Sequence, residues 1–120
     1  MRDFRNYKVW HLALDFVEEI YKITNSFPPE ERFGLSSQMR RSAVSIVSNI
    51  AEGASRSSEI DFARFIEISL GSTFELETQI IIAVRLSYIE QYKANVLIDS
   101  LNNIQKRLNA LITKIKTANS

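Results

Sequence analysis

The residues of this 120-residue chain best placed to act together are Arg41, Ser45, Asn49 and Glu52. At about 100° per residue they fall on one side of a helix with Ser37 and Ser48, and Gln38 and Ser42 stand at its edge. A solvated helix face is usually rich in Lys and Glu, whereas this one is built of small hydroxyl residues with single charges among them. Small side chains let another helix come close. Arg41, Ser45 and Glu52 can then share a hydrogen-bond network, provided every member finds a partner. Ser72 and Glu75 supply the other half of that network from a later helix, where Gly71-Ser72 is expected to meet the small face near Ser45 and Asn49. The chemistry on offer is hydrogen bonding and ion pairing. The set is read as a structural polar network first and as a ligand-binding cluster second.

Catalytic patterns are missing. No Glu-x-x-His pair occurs, so the ligands of a di-iron helical bundle are absent. The three glycines lie far apart and form no phosphate-cradling loop. His11 is the single histidine, which makes neither a zinc ligand set nor a supported Ser-His-acid triad. Glu75 and Glu77 are two apart and project to different sides of a helix. Glu52 and Glu75 are expected to pair with Arg40 or Arg41 instead. No catalytic, cofactor-binding or metal-binding residue is assigned, and the chain is read as a non-enzyme. The absence of cysteine excludes a disulfide framework and thiolate chemistry, and fits the cytoplasm as the expected location.

The formal net charge is only +1, but it is unevenly spread. Residues 58–90 carry two basic and six acidic side chains, and residues 91–120 carry five basic and one acidic. Either the two segments complement each other inside one molecule, or the last helix presents a basic strip to RNA or DNA. The candidate contacts for the second case are Lys93, Lys106, Arg107, Lys114 and Lys116. Tyr92 is the one aromatic residue on that helix, so binding would be sequence-tolerant and strongly salt-dependent, with little base stacking. No apolar run approaches the length of a membrane span, and the charged stretch from Met1 to Lys8 is not followed by a signal-type apolar core.

These groups must be carried on long helices, because Gly and Pro together number only five and hydrophobic residues make up 45% of the chain. The periodicity predicts helices over about 6–25, 35–55, 59–88 and 91–117. Asn6 is expected to cap the first. Ser26-Phe27-Pro28-Pro29-Glu30 breaks it, with Phe27 and Phe33 anchoring the loop. Leu35, Met39, Ala43, Ile46, Val47, Ile50 and Ala54 form the core stripe of the second helix. Ser57 or Ser58 caps the third, and Leu101, Ile104, Leu108, Leu111 and Ile115 line the fourth, preceded by Val96 or Leu97. Gly53 either lets a neighbour approach or begins to end the second helix. The third helix also carries Leu70, Phe74 and Ile81 on a second side. Apolar residues on more than one side of a long helix point to self-association. The architecture is all-α: one domain over 1–120, an up-down-up-down antiparallel four-helix bundle.

One block is specific enough to carry a resemblance: Gln38-x-Arg40-Arg41-x-Ala43-x-Ser45-Ile46-x-Ser48-Asn49-Ile50-Ala51-Glu52-Gly53. It resembles the signature of a bacterial four-helix bundle family whose founding members are encoded by intervening sequences inside large-subunit ribosomal RNA genes. The resemblance starts near Val9-Trp10 and passes through Phe27-Pro28-x-Glu30-x-x-Phe33-Gly34-Leu35. It continues through Phe65-Ile66-Glu67-Ile68-Ser69-Leu70-Gly71-Ser72-x-x-Glu75-Leu76-Glu77-Thr78-Gln79, and so covers nearly the whole chain. Val47 stands where many relatives carry Pro, and Ser69 where many carry Ala. What the resemblance implies is a homo-oligomer, a ring-forming homopentamer, and a nucleic-acid connection. A related branch serves as the accessory protein of diversity-generating retroelements, where it works with a reverse transcriptase. A neighbouring reverse transcriptase gene would mark that partner here. A ring would repeat the basic fourth helix into a continuous band and multiply weak phosphate contacts. The alternative is a protein–protein interaction scaffold that binds no nucleic acid.

Overall fold

The computed structural model describes residues 2–118. Among these the chain forms four α-helices and no strand: α1 (Lys8–Thr24), α2 (Leu35–Ala54), α3 (Glu59–Arg85) and α4 (Gln91–Ala118). Each helix packs against its neighbours in chain order, and α4 closes on α1, while the backbones of the diagonal pairs α1–α3 and α2–α4 stay apart across the shared core. The short connections 55–58 and 86–90 leave antiparallel packing as the only route for consecutive helices. The result is an up-down-up-down bundle measuring 47 × 24 × 19 Å.

The core follows the helical period. All seven apolar residues expected on α2 are buried, and Phe62, Ile66, Leu76, Ile80 and Ala83 face them from α3. On α4 it is Leu97 that enters the core, and Val96 is 66% exposed. On α1 the line Val9, Ala13, Phe16 and Ile20 is buried, whereas Leu14 and Tyr21 are exposed.

The helix ends depart from expectation in ways that have local causes. Asn6 does not cap α1. It sits in a 3-10 turn, Phe4–Asn6, whose cap is Asp3, accepting from Arg5 N at 3.0 Å. That bond holds the Asp3 carboxyl below its usual range. Tyr7 is then extended and starts α1 with no side-chain cap. The turn lays the Phe4 ring on Trp10, with centroids 5.1 Å apart. It also brings Arg2 to the far end of α2, where its guanidinium donates to Arg56 O (2.5 Å) and Ala54 O (3.4 Å). The same guanidinium pairs with Glu59 and lies 4.5 Å from the Phe62 ring centroid. A cation thus satisfies carbonyls that α2 leaves unpaired at its C-terminus. Ser58 caps α3, accepting from Asp61 N at 3.1 Å.

α3 stops at Arg85 rather than near Tyr88. Ser87 takes the left-handed conformation (φ 64°). Tyr88 N then donates to Ala83 O at 2.8 Å and Ser87 N to Val84 O at 2.9 Å. This is a Schellman ending, made with Ser where Gly is usual. It turns Tyr88 back toward the α1–α2 loop. There its ring meets Phe27 (5.3 Å) and its hydroxyl donates to Glu31 Oε2 (2.9 Å). Glu31 also accepts from Leu35 N at 3.0 Å, capping the start of α2. That backbone bond, then the Tyr88 bond, holds the Glu31 carboxyl below its usual range, and the same contact raises the Tyr88 phenol. Phe27 is a buried anchor of this loop, but Phe33 is not: it is 88% exposed, with Arg32 lying over its ring.

Of the two glycines, Gly53 takes the first of the roles expected of it and Gly71 does not take the one expected of it. Gly71 is exposed and has nothing within 4 Å of where a Cβ would stand, so no crossing inside the bundle requires it. Gly53 is the true point of close approach: a Cβ there would lie 2.8 Å from Phe65 Cβ and 3.3 Å from Phe62 O.

Candidate functional site

The small residues of α2 recur at three- and four-residue intervals, at 42, 45, 49 and 53, and form one line along the helix. Antiparallel packing sets that line against residues 75, 72, 69 and 65 of α3, and hydroxyl groups bridge the two helices. Ser42 Oγ donates to Glu75 Oε1 at 3.1 Å. The Ser45 and Ser72 hydroxyls lie 2.8 Å apart. Asn49 Nδ2 donates to Ser45 O (2.8 Å) and Ser45 Oγ (3.0 Å). Ser69, fully buried, donates to Ile46 O at 2.7 Å and ties α3 to the α2 backbone. Ser45, Asn49, Ser72 and Glu75 are therefore brought together.

Arg41 and Glu52 do not join them. Arg41 lies roughly 85° and Glu52 roughly 65° round α2 from the mean direction of the line facing α3, and both are exposed. Glu52 pairs with Arg56 one turn along its own helix at 2.9 Å. Arg41 makes no hydrogen bond or ion pair among the described residues, and neither it nor Arg40 pairs with Glu75. Arg40 instead reaches α1. Its Nε donates to Thr24 Oγ1 and its Nη2 to Asn25 Oδ1, both at 2.9 Å, and the guanidinium lies 4.5 Å from the Tyr21 ring centroid. Sequence reasoning missed this tie. The signal was the pairing of a basic residue with the carbonyl-rich end of α1, and nothing local to Arg40 points there.

The α2–α3 seam opens outward into a cleft of about 480 Å³, lined by Gln38, Arg41, Ser42, Ser45, Glu75 and Gln79. A guanidinium and a carboxylate share this lining without touching. Gln79 is 6% exposed, and its Oε1 is buried without a hydrogen-bond partner.

The five basic residues of α4 are not one strip. Lys93, Arg107 and Lys114 are separated by multiples of seven and share a line, while Lys106 and Lys116 lie on other sides. Lys116 turns to α3 and pairs with Glu67 at 3.3 Å. Gln105 Nε2 donates to Glu77 Oε1 at 3.0 Å across the same seam. At the Lys116–Glu67 ion pair the acidic and basic segments meet.

A different surface stands out on α3. Its outward side exposes Ile60, Ile68, Phe74, Ile81 and Ile82, each more than 40% accessible, with Gly71 in their midst. His11 is also at the surface, where its Nε2 contacts Arg5 O at 2.7 Å. Among the described residues no group of acidic, His or Cys side chains could hold a metal ion, and no helix is long and apolar enough to cross a membrane.

Comparison with known proteins places this geometry. The model of one family, described as 23S rRNA-intervening sequence protein, matches residues 5–110. Six chains of solved structures match. One is a Bacteroides thetaiotaomicron protein of the S23 ribosomal protein family, described as having unknown function. It is 27% identical and superimposes with a TM-score of 0.81 over 88% of this chain and 95% of that one. No curated protein matches significantly.

Proposed function

This chain belongs to the 23S rRNA-intervening sequence protein family, and we propose that it is a non-enzymatic, self-associating helical bundle whose assembly carries nucleic acid on its basic side in the cytoplasm. The observation that carries the reading is the outward side of α3. Five large apolar side chains are exposed along that side, interspersed with Arg64, Glu67, Gly71 and Thr78, on a helix whose inward side is already packed against α2 and α4. Exposed apolar side chains gathered along one helix side mark interaction surfaces. Self-association into a ring, a pentamer by the family resemblance, covers it through a contact between two different patches. Repetition around the ring then brings copies of Lys93, Arg107 and Lys114 into one band, which favours many weak phosphate contacts. Lys106 adds to that field at a greater angle, while Lys116 is engaged with Glu67. A reverse transcriptase is the protein partner only where its gene lies beside this one.

Sedimentation equilibrium with and without a generic RNA, at low and physiological salt, tests the reading. A discrete oligomer should bind RNA with a steep salt dependence, and replacing Lys93, Arg107 and Lys114 with Ala should flatten that dependence. A monomer that ignores RNA at low salt would contradict it. The Lys116–Glu67 pair favours a second reading, a protein-interaction scaffold without nucleic acid, because it spends part of the basic charge internally. An oligomer that fails to bind RNA at low salt would select that reading.

A further inference from the structure

We propose that the cleft between α2 and α3 binds a small zwitterion, an amino acid or a molecule with the same pairing of ammonium and carboxylate. The argument rests on groups the fold leaves unmatched. Gln79 is more than nine-tenths buried at the cleft, yet its Oε1 has no partner. A buried amide oxygen without a hydrogen bond is a cost the fold carries for no internal gain. Its terminal amide turns about a broad torsion, so either end can be offered to an occupant. Glu75 accepts one hydrogen bond, from Ser42 on Oε1, and a carboxylate has room for several more. On the opposite wall Arg41 keeps its forked donors free, and Gln38 stands beside it.

The lining is therefore divided. The α3 wall offers acceptors and a negative charge, and the α2 wall offers a planar cation. Arg41 and Glu75 line one cleft without an ion pair, so a dipolar molecule between them completes both. An ammonium group suits Glu75 and, once the Gln79 amide turns toward the cleft, its oxygen, and a carboxylate suits the Arg41 fork. The volume of about 480 Å³ lies within the range of small-molecule sites. The Ser45–Ser72 and Asn49 bonds hold the floor, so the walls are fixed before a ligand arrives.

The test uses the purified full chain and each of the twenty common L-amino acids, at up to about 10 mM, read by thermal shift and by calorimetry. At least one is expected to raise the melting temperature by a few degrees and to bind with a Kd below about 1 mM. Its N-acetyl amide, which has the same side chain and neither backbone charge, should not bind. Arg41→Ala should weaken binding at least about tenfold. Gln79→Leu should do the same while leaving the free protein as stable or more so, because it removes an unmatched buried amide at nearly constant volume. That split between stability and binding is one that a packing role would not produce. Absence of binding by all twenty amino acids would overturn the proposal, as would binding that survives both substitutions. So would dissociation of an assembly by Arg41→Ala or Gln79→Leu, since the cleft would then be filled by a second copy of the chain. Loss of self-association through the outward side of α3 alone leaves these outcomes unchanged.

Discussion

The two sides of α3 are made of opposite materials. Toward α2 the helix presents Ser69, Ser72 and Glu75, and each reaches a partner on α2. Toward solvent it presents four isoleucines, a phenylalanine and a glycine with open space beside it, among the polar Arg64, Glu67 and Thr78. A lone bundle would put polar groups outside and apolar groups inside. The inward side departs from that rule because small hydroxyl residues let two helices approach closely and bond as they do so. The outward side departs from it with no compensating contact in the chain. One face is complete within the monomer, and the other has no contact across it in the chain, which the proposed association would supply.

Substitutions along this helix pair separate the two cases. The largest effect is expected at Ser45, which faces Ser72 at hydroxyl distance. Ser45→Leu should overpack the seam and lower stability by about 1–3 kcal/mol in urea denaturation. A neutral result would mean the seam is not closely packed. Next come the two glycines, which should respond with opposite sign. Gly53→Ala places a Cβ against Phe65 and the Phe62 carbonyl, and should cost about 1–2 kcal/mol even after the helix-propensity gain. Gly71→Ala meets open space, and in dilute protein should raise stability by up to about 1 kcal/mol. Equal responses would erase the contrast between the faces. Ser69→Ala deletes the buried bond to Ile46 O and should cost about 0.5–1.5 kcal/mol, with no effect on association.

The smallest expected effect lies at the end of the bundle. The Glu31 carboxyl is held below its ordinary 4.5, so its share of stability is present above that pH and is lost as pH falls through the lowered value. The Tyr88 phenol is raised above 10.0, so its share is present below that pH and is lost as pH rises through the raised value. Melting curves of wild type and Tyr88→Phe should therefore differ by a constant amount between these limits and converge beyond them. A difference that persists in strong acid would mean the Tyr88 hydroxyl does not act through the ionised Glu31 carboxylate, and no difference at any pH would leave Tyr88 its ring packing on Phe27 alone.

Much of this was legible in the sequence. The core stripe of α2 follows the helical period residue for residue, and the Ser58 cap follows from its spacing to Asp61. The hydroxyl ladder was legible as a face, because a helix side rich in Ser suits another helix better than it suits water. What stayed hidden depends on partners distant in sequence. A small residue reads the same whether it admits a neighbour or faces solvent, so Gly53 and Gly71 could be told apart only by what stands opposite. Arg40 and Arg41 are adjacent and differ by about 100° of rotation. That rotation sends one to the end of α1 and leaves the other at the cleft, and the sequence does not say which neighbour each will meet. Ser87 ends α3 without the Gly or Asn that usually announces a left-handed ending. Phe33 looked like an anchor because large apolar residues usually are, yet Phe27 and Tyr88 had already filled the loop's interior.

The central claim is that the outward side of α3 is an association surface. Sedimentation equilibrium of the wild type against a Phe74→Glu, Ile82→Glu double variant tests it most directly. The account predicts a discrete oligomer for the wild type and a monomer for the variant, with the same far-UV circular dichroism and helical content in both. A monomeric wild type, or a variant that keeps the wild-type mass, would contradict it.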